Sequence, residues 1–241
     1  MAVAETERVV LRPAAAGIWQ LDGLGLRGVK AGLVDRHGTL PQLHAHVASA
    51  RRWVQAEQVH GSSVAILQHP REEAPLIPAC DALLTNVLGT ALLVRTADCL
   101  PLFFIDPSRG AVGIAHAGWR GLHRQLPLRV LAAFRHLYQS HPANLRVAVG
   151  PAIRACCYEV GPEFQARFGV FVQERRGRRT CDLVGVALDQ LRRGGIRPDH
   201  LFDAQACTAC ESDRWFSIRR EGAQTGRMVS FMLLGGSRSG Q

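Results

Sequence analysis

LPLFFIDPSRGAVGIAHA, residues 100–117, contains two short apolar runs separated by residues that favour turns. The runs are Leu100 to Ile105 and Ala111 to Ala115, and they are bounded by Asp106 and Gly110. Short apolar runs bounded in this way are typical of β-strands, because helices need a longer periodic pattern. The stretch therefore predicts two strands of a central sheet.

Similar runs occur on both sides of this stretch. Three more strands are predicted at Val64 to Leu67, Ala91 to Arg95 and Leu145 to Val149. Near the end of the chain, Phe216 to Ile218 and Met228 to Leu234 flank a glycine-containing segment, Glu221 to Gly226. We expect these last two runs to form a terminal hairpin.

Two segments carry the apolar spacing of helices. The first begins at Leu126, has Pro127 in its first turn and ends near Ser140. The second runs from Leu183 to Leu191, with Asp182 as a possible N-cap and a Gly-Gly pair behind it.

Strands and helices are thus mixed without the regular alternation of a Rossmann or barrel chain. We predict an α/β fold of the mixed α+β kind, a single compact domain with central mixed sheets flanked by helices. With no repeat and no long linker, the domain is expected to span residues 1–234, and GGSRSGQ, residues 235–241, is expected to be a disordered tail.

The composition excludes several classes of function. With 241 residues, 47% of them hydrophobic, the chain can bury a full core, and its apolar runs are too short to cross a bilayer. The net charge of +9 is the excess of 29 basic over 20 acidic residues, and of the basic residues only Lys30 is a lysine. We read this skew as compositional bias rather than a nucleic-acid interface, and the basic cluster ERRGRR, residues 174–179, as a solvated loop. Anionic small molecules remain plausible ligands.

The cysteines and the first residues indicate the compartment. Seven cysteines are an odd number in a chain too large to need disulfide staples, which favours reduced thiols. Glu5, Glu7 and Arg8 interrupt the apolar stretch that a secretory signal needs. We therefore expect a cytoplasmic protein.

Three segments place a metal-competent side chain at the edge of an apolar strand, beside small residues. These candidate ligands are His60 in QVHG, Cys99 in TADC and His116 in AHAGWRG. A thiolate and two imidazoles suit zinc, and three protein ligands leave the fourth position open for a reactant. Spacing alone is a weak signal, since a single histidine is more commonly a hydrogen-bonded structural residue and a single cysteine more commonly a small core residue.

Six ordered blocks strengthen this interpretation. They run from about Arg52 to Leu233 and are QVHG (58–61), CDAL (80–83), TADCLP (96–101), HAGWRG (116–121), VGPAI with CYEVG (149–153 and 157–161), and FSIRR with TGRM (216–220 and 225–228). Together they resemble the YfiH or laccase-domain family, also called the multicopper polyphenol oxidase or purine nucleoside phosphorylase family. Before residue 50 the chain departs from the family pattern.

The resemblance implies a YfiH-like single-domain fold in which His60, Cys99 and His116 bind zinc, with copper as a possible substitute. It also implies a metal-dependent enzyme acting on purine nucleosides and phosphate. The reactions are phosphorolysis of adenosine, inosine, guanosine or methylthioadenosine, and deamination of adenosine.

Three polar residues are candidates for further roles. Asp98 is a candidate catalytic proton carrier, or alternatively orients a histidine ligand. Arg120 is a candidate catalytic residue that binds phosphate through its planar fork, or alternatively ties a turn by a salt bridge. Arg219 is a candidate for substrate binding, and one of Arg219 and Arg220 is expected to be structural because neighbours on a strand face opposite ways.

Other readings remain open. An amidase that edits a UDP-muramoyl-amino-acid peptidoglycan precursor is one alternative, with a metal-free Cys99 and His116 nucleophile pair as its variant. Copper-dependent polyphenol oxidation is another, although one three-ligand set among 10 histidines is few for laccase chemistry. Cys207 and Cys210 have CxxC spacing and suit a redox pair, or half of a structural zinc site completed by Cys156 and Cys157.

Overall fold

The computed structural model describes residues 7–8, 10–24, 28–68, 76–175 and 177–235. The strands within these residues are β1 (Glu7–Arg8), β2 (Val10–Ala15), β3 (Ile18–Asp22), β4 (Val29–Val34), β5 (Arg52–Ala56), β6 (Val64–Leu67), β7 (Leu76–Ile77), β8 (Ala82–Thr85), β9 (Thr90–Thr96), β10 (Leu100–Asp106), β11 (Ala111–Ala117), β12 (Arg146–Val149), β13 (Val172–Arg175), β14 (Arg178–Cys181), β15 (Leu201–Asp203) and β16 (Met228–Leu234). The α-helices are α1 (Leu40–His46), α2 (Trp119–His123), α3 (Leu126–Tyr138), α4 (Glu163–Phe168), α5 (Leu183–Arg193) and α6 (Ile218–Glu221).

The first mixed sheet has the strand order β1-β15-β12-β10-β11-β8-β6 in the described chain. Its centre is the antiparallel pair β10 and β11, in which Leu100 lies opposite Ala117 and Asp106 opposite Ala111. Leu102 and Phe104 face one side of the sheet, while Phe103 and Ile105 face the other. Both faces are therefore buried, which explains why these strands are continuously apolar in sequence.

The second mixed sheet has the order β2-β3-β4-β16-β9-β5-β7. It stacks on the first sheet through a shared core that includes Leu92 and Val94 of β9 with Phe103 and Ile114 of the first sheet. Helices α3 and α5 cover the outer face of the first sheet, and α1 packs on the outer face of the second through Leu43. The predicted mixed α/β class with mixed sheets and flanking helices is confirmed.

Both predicted helices are present. Pro127 lies in the first turn of α3, where its missing N–H costs nothing. The Asp182 side chain caps α5 by accepting a hydrogen bond from the Gly185 backbone N at 2.9 Å. Among the described helices the longest is α3, and its 13 residues are too few to span a bilayer.

The predicted terminal hairpin is wrong. Strand β16 pairs with β4 on one side and β9 on the other, so neither of its edges is free for the segment before it. That segment turns into α6 instead, with the Ser217 side chain accepting a hydrogen bond from the Arg220 backbone N. Arg219 and Arg220 are consequently helical neighbours rather than strand neighbours.

Two other expectations concern the surface. The cluster ERRGRR, predicted as a loop, contributes Glu174 and Arg175 to β13 and Arg178 and Arg179 to β14, and Arg179 pairs with Glu174 across these strands at 2.9 Å. The expected disordered tail, residues 235–241, lies outside the described residues except for Gly235, whose backbone N donates to the Gly28 carbonyl.

Candidate metal centre

The structure brings His60, Cys99 and His116 together. Their ligand atoms lie within 4.8 Å of one another, and the two imidazole rings meet edge to face with centroids 4.7 Å apart. His116 is on β11, and Cys99 immediately precedes β10, so the β10–β11 register brings the thiol beside the histidine. His60 lies in the loop after β5.

That loop is tied to the neighbouring strand by Gln58. Its side-chain amide donates to the Arg95 carbonyl and accepts from the Arg95 backbone N, both at 2.7 Å. The Gln58 side chain thus forms the pair of hydrogen bonds that a neighbouring strand would form with β9, and it holds the loop that carries His60. His60 itself has a φ of 56°, in the left-handed region.

Asp81 organises two of the three candidate ligands. Its fully buried carboxylate accepts from His116 Nδ1 at 2.8 Å, and from the backbone N of His60 at 3.0 Å and of Gly61 at 2.7 Å. The carboxylate therefore leaves His116 Nε2 as the ring atom available to a cation. A carboxylate behind a metal-binding histidine is the usual supporting arrangement in zinc sites.

Two glycines of HAGWRG, Gly118 and Gly121, allow the loops of the site to pack closely. A Cβ at Gly118 would lie 3.0 Å from Cys99 Sγ and 3.3 Å from His60 Cδ2. A Cβ at Gly121 would lie 2.9 Å from the Gly61 carbonyl oxygen. A side chain at Gly121 would therefore force the backbone to shift, and one at Gly118 would press on the Cys99 sulfur.

The electrostatics favour a thiolate at Cys99. Burial alone would raise the pKa of its thiol, but hydrogen bonds and charge from His116 and His60 outweigh burial and lower the pKa to about 6. Burial would likewise lower the pKa of His116, but hydrogen bonds to Asp81 and Cys99 prevail and raise it to about 9. The thiolate is the form that binds metals, and a divalent cation can replace the proton shared by Cys99 and His116.

The three side chains line one wall of a cavity of about 580 Å³. Leu76 and Ile218 supply apolar surface, while Arg95 and Arg227 supply positive charge. A cavity of this size and mixed lining suits a small organic ligand with an anionic group.

The three polar candidates do not line this cavity. The Asp98 carboxylate accepts from Thr208 Oγ1 and from the Arg219 backbone N, both at 2.7 Å, so it holds two loops together rather than facing the cavity or a histidine. Arg120 is exposed and stacks on Trp119, with its guanidinium carbon 4.5 Å from the ring centroid. Arg120 thus lies outside this cavity, and its phosphate-binding role stays a prediction.

Arg219 is directed elsewhere as well. Its guanidinium donates to the Glu159 carbonyl and lies 5.0 Å from the Tyr158 ring centroid. Arg95 and Asp81 are two residues of the site that were not predicted from the sequence. A signal for Asp81 was present, since it belongs to the CDAL block, whereas nothing in the sequence marked Arg95 as facing the site.

Comparisons with known proteins find relatives over most of the chain. The family model described as multi-copper polyphenol oxidoreductase laccase matches residues 36–235. A relative from Geobacillus stearothermophilus named purine nucleoside phosphorylase YlmD is 33% identical over 196 residues, covering 75% of this chain and 72% of that protein. Purine nucleoside phosphorylase YfiH of Escherichia coli K12 is 34% identical over 186 residues, covering 74% of this chain and 72% of that protein.

Solved structures extend the match to nearly the whole chain. The crystal structure of YlmD from Geobacillus stearothermophilus matches with a TM-score of 0.88 and 28% identity, covering 95% of this chain and all of that one. The crystal structure of the Bacillus licheniformis hypothetical protein YfiH matches with a TM-score of 0.84 and 25% identity, covering 93% of this chain and 98% of that one.

Proposed function

Because the chain belongs to the multi-copper polyphenol oxidoreductase laccase family, in which matched relatives are named purine nucleoside phosphorylase, we propose that it is a zinc-dependent purine nucleoside enzyme. The proposed reactions are phosphorolysis of adenosine, inosine, guanosine or methylthioadenosine, and deamination of adenosine. The observation that carries the proposal is the convergence of His60, Cys99 and His116 on the wall of one cavity.

The donor set fits zinc. One thiolate and two imidazoles are ligands that zinc prefers, and a three-ligand set leaves a position for a reactant. Asp81 behind His116 provides the carboxylate support found in such sites. Bound zinc supplies a Lewis acid that polarises an oxygen of the attacking group or of the substrate.

The remaining cavity residues suit a nucleoside and phosphate. In phosphorolysis a phosphate oxygen bonds to the sugar carbon as the bond from that carbon to the purine nitrogen breaks. Arg95 projects into the cavity, and among the described residues no carboxylate forms an ion pair with it. We assign Arg95 to phosphate binding and the apolar surface at Ile218 to the purine ring.

The thiols support an intracellular setting for this activity. All seven cysteines are free in the structure, including four whose sulfur atoms lie close together. Because free thiols persist in reducing compartments, we propose that the protein is located in the cytoplasm.

The test combines metal analysis with nucleoside assays. Zinc content is measured in the wild type and in Cys99→Ala, and each protein is assayed on adenosine with and without phosphate. Phosphate-dependent release of adenine demonstrates phosphorolysis, and inosine formation demonstrates deamination. Both activities are expected to fall at least 100-fold in Cys99→Ala, in parallel with the loss of the zinc ion bound by His60, Cys99 and His116.

A variant pair tests the assignment of Arg95. Arg95→Gln is expected to raise the KM for phosphate about 10-fold or more while leaving deamination nearly unchanged, because a charge-assisted contact to phosphate is lost. Arg95→Lys, which keeps the charge, is the matched control and should retain most of the phosphate affinity.

Other outcomes would overturn the proposal. Inertness toward every nucleoside, with turnover of a UDP-muramoyl-amino-acid conjugate, would indicate the amidase activity. Full activity in metal-free protein would instead indicate direct attack by the Cys99 and His116 pair. Copper in the purified protein, together with oxidation of phenols lost in Cys99→Ala, would indicate polyphenol oxidation.

A further inference from the structure

Four cysteines gather at a second place in the molecule, away from the candidate metal centre. Cys156 and Cys157 lie in the loop after β12, and Cys207 and Cys210 lie in the loop after β15. The two loops run side by side, since Ala152 forms an isolated parallel bridge with Cys207 and accepts a hydrogen bond from the Thr208 backbone N. All four sulfur atoms lie within 4.8 Å of one another.

Three of the six sulfur separations are slightly shorter than those around one tetrahedral ion, and all six are below 4.8 Å. Cys156 Sγ lies 3.6 Å from the sulfur atoms of both Cys207 and Cys210, and Cys157 Sγ lies 3.3 Å from that of Cys210. Four thiolates bound to zinc at about 2.3 Å stand about 3.8 Å apart at the corners of a tetrahedron. The thiols are thus arranged like a ligand shell.

We propose that Cys156, Cys157, Cys207 and Cys210 bind a second zinc ion in a closed, four-thiolate structural site. Thiolate ligands select soft cations, and four of them leave no position for a reactant. The site is therefore distinct in function from the three-ligand centre with its open cavity.

The surrounding residues hold both loops in place. Arg154 forms a two-pronged ion pair with Asp203 at 2.8 and 2.7 Å, which anchors the first loop to the end of β15. On the second loop, the Arg220 guanidinium donates to the carbonyls of Thr208 and Ala209, the residues between the two cysteines. The backbone that presents the thiols is therefore preorganised, which reduces the entropy lost on binding an ion.

The proposed site is connected to the first centre through Asp98. Thr208, between Cys207 and Cys210, donates its hydroxyl to the Asp98 carboxylate, and the backbone N of Ile153 donates to the Asp98 carbonyl. Asp98 precedes Cys99, so both cysteine-bearing loops contact the residue next to a candidate ligand of the first centre. A cation that joins the two loops would fix the position of Asp98 and, through Asp98, the position of Cys99.

Metal stoichiometry tests the proposal on the full chain. Protein purified under reducing conditions with zinc supplied is expected to contain two zinc ions per chain. Cys156→Ser combined with Cys210→Ser alters the two exposed members of the cluster and is expected to remove one of the two ions. Cys181→Ala, at a buried cysteine outside both clusters, is the matched control and should keep both.

The coordination shell provides a second readout that does not depend on a folded cluster variant. In Cys99→Ala, which lacks the first centre, X-ray absorption at the zinc edge is expected to show sulfur neighbours alone at about 2.3 Å. This measurement needs no nucleoside activity, so it stands apart from the test of the proposed function.

Several results would overturn the second site. One is a zinc content of one ion per chain in both the wild type and the Cys156→Ser and Cys210→Ser variant. Another is nitrogen or oxygen neighbours in the Cys99→Ala spectrum, or iron or copper in place of zinc. A third is a disulfide between two of the four cysteines that persists in protein purified under reducing conditions.

Discussion

Asp81 supports the candidate metal centre without contacting the cavity. It accepts hydrogen bonds from the ring of His116 and from the backbone of the loop that carries His60. Burial raises the pKa of this carboxyl, but the hydrogen bonds from His116, Gly61 and Val59 prevail and lower it. The carboxylate is therefore ionised near neutral pH and can accept from all of these donors.

Asp81→Asn is expected to weaken metal binding 10- to 100-fold, because an amide replaces one acceptor oxygen with a donor that faces other donors. Competition with a chromogenic chelator measures the affinity. Asp106→Asn is the matched control, since Asp106 is also fully buried and accepts backbone hydrogen bonds, but in the β10–β11 turn. Equal affinities in the wild type and Asp81→Asn would refute the supporting role.

Gly118→Ala tests the close approach at the site. The added Cβ would lie 3.0 Å from the Cys99 sulfur, so we expect displacement of the thiol and a metal occupancy at least 10-fold lower at limiting zinc. Gly113→Ala, in the preceding strand β11, meets Leu84, the Leu83 carbonyl oxygen and Phe134 instead, and should lower the free energy of unfolding without changing the occupancy. A Gly118→Ala protein with wild-type occupancy would contradict the geometry.

At the residue scale, sequence motifs identified the three candidate ligands but not the surrounding residues. His60, Cys99 and His116 stand out because their side chains have metal-binding chemistry at strand edges. Asp98 has an equally reactive side chain, yet Thr208, which is 110 residues away in the sequence, donates a hydrogen bond to its carboxylate. Such partners depend on tertiary contacts, which local sequence does not reveal.

At the element scale, helix α5 was predictable from its boundary residues. Asp182 accepts a hydrogen bond from an N–H group of the first turn, as an N-cap residue does. Asp182→Ala is expected to lower the free energy of unfolding by about 1 kcal/mol, measured by urea denaturation, with no change in metal content. The exposed pair of Asp189 with Arg193 on the same helix provides the control, and Asp189→Ala should change stability by less than about 0.5 kcal/mol.

Strands with both faces buried were located well from the sequence, whereas the partners of a strand were predicted poorly where they are distant in the chain. The runs in β10 and β11 are apolar throughout, so composition alone locates them. Met228 to Leu234 was also recognised as a strand, but its partners β4 and β9 are far away in the chain. A hairpin was predicted because the two apolar runs are close in sequence. In the structure both edges of β16 are instead hydrogen-bonded to β4 and β9 inside a seven-stranded sheet.

At the scale of the whole molecule, the candidate metal centre lies where the chain crosses between the sheets. Cys99 is in the turn from β9 of the second sheet to β10 of the first, and His60 is in the connection from β5 to β6, which cross in the same direction. His116 belongs to the first sheet itself. An ion bound by all three would join both crossings to β11 and so stabilise the stacking of the sheets.

Removal of this ion should therefore destabilise the whole fold. A ligand present at about 1,000 times its Kd stabilises a protein by about 4 kcal/mol, which for a chain of this size corresponds to a Tm decrease of about 10 °C on chelation. We expect that decrease in the Cys156→Ser and Cys210→Ser background, where only the first centre can respond to EDTA. The same background with His60→Ala should start from the lower Tm and be insensitive to the chelator, because its ion is already lost. Equal decreases in the two proteins would show that the three ligands do not couple metal binding to the stacking of the sheets.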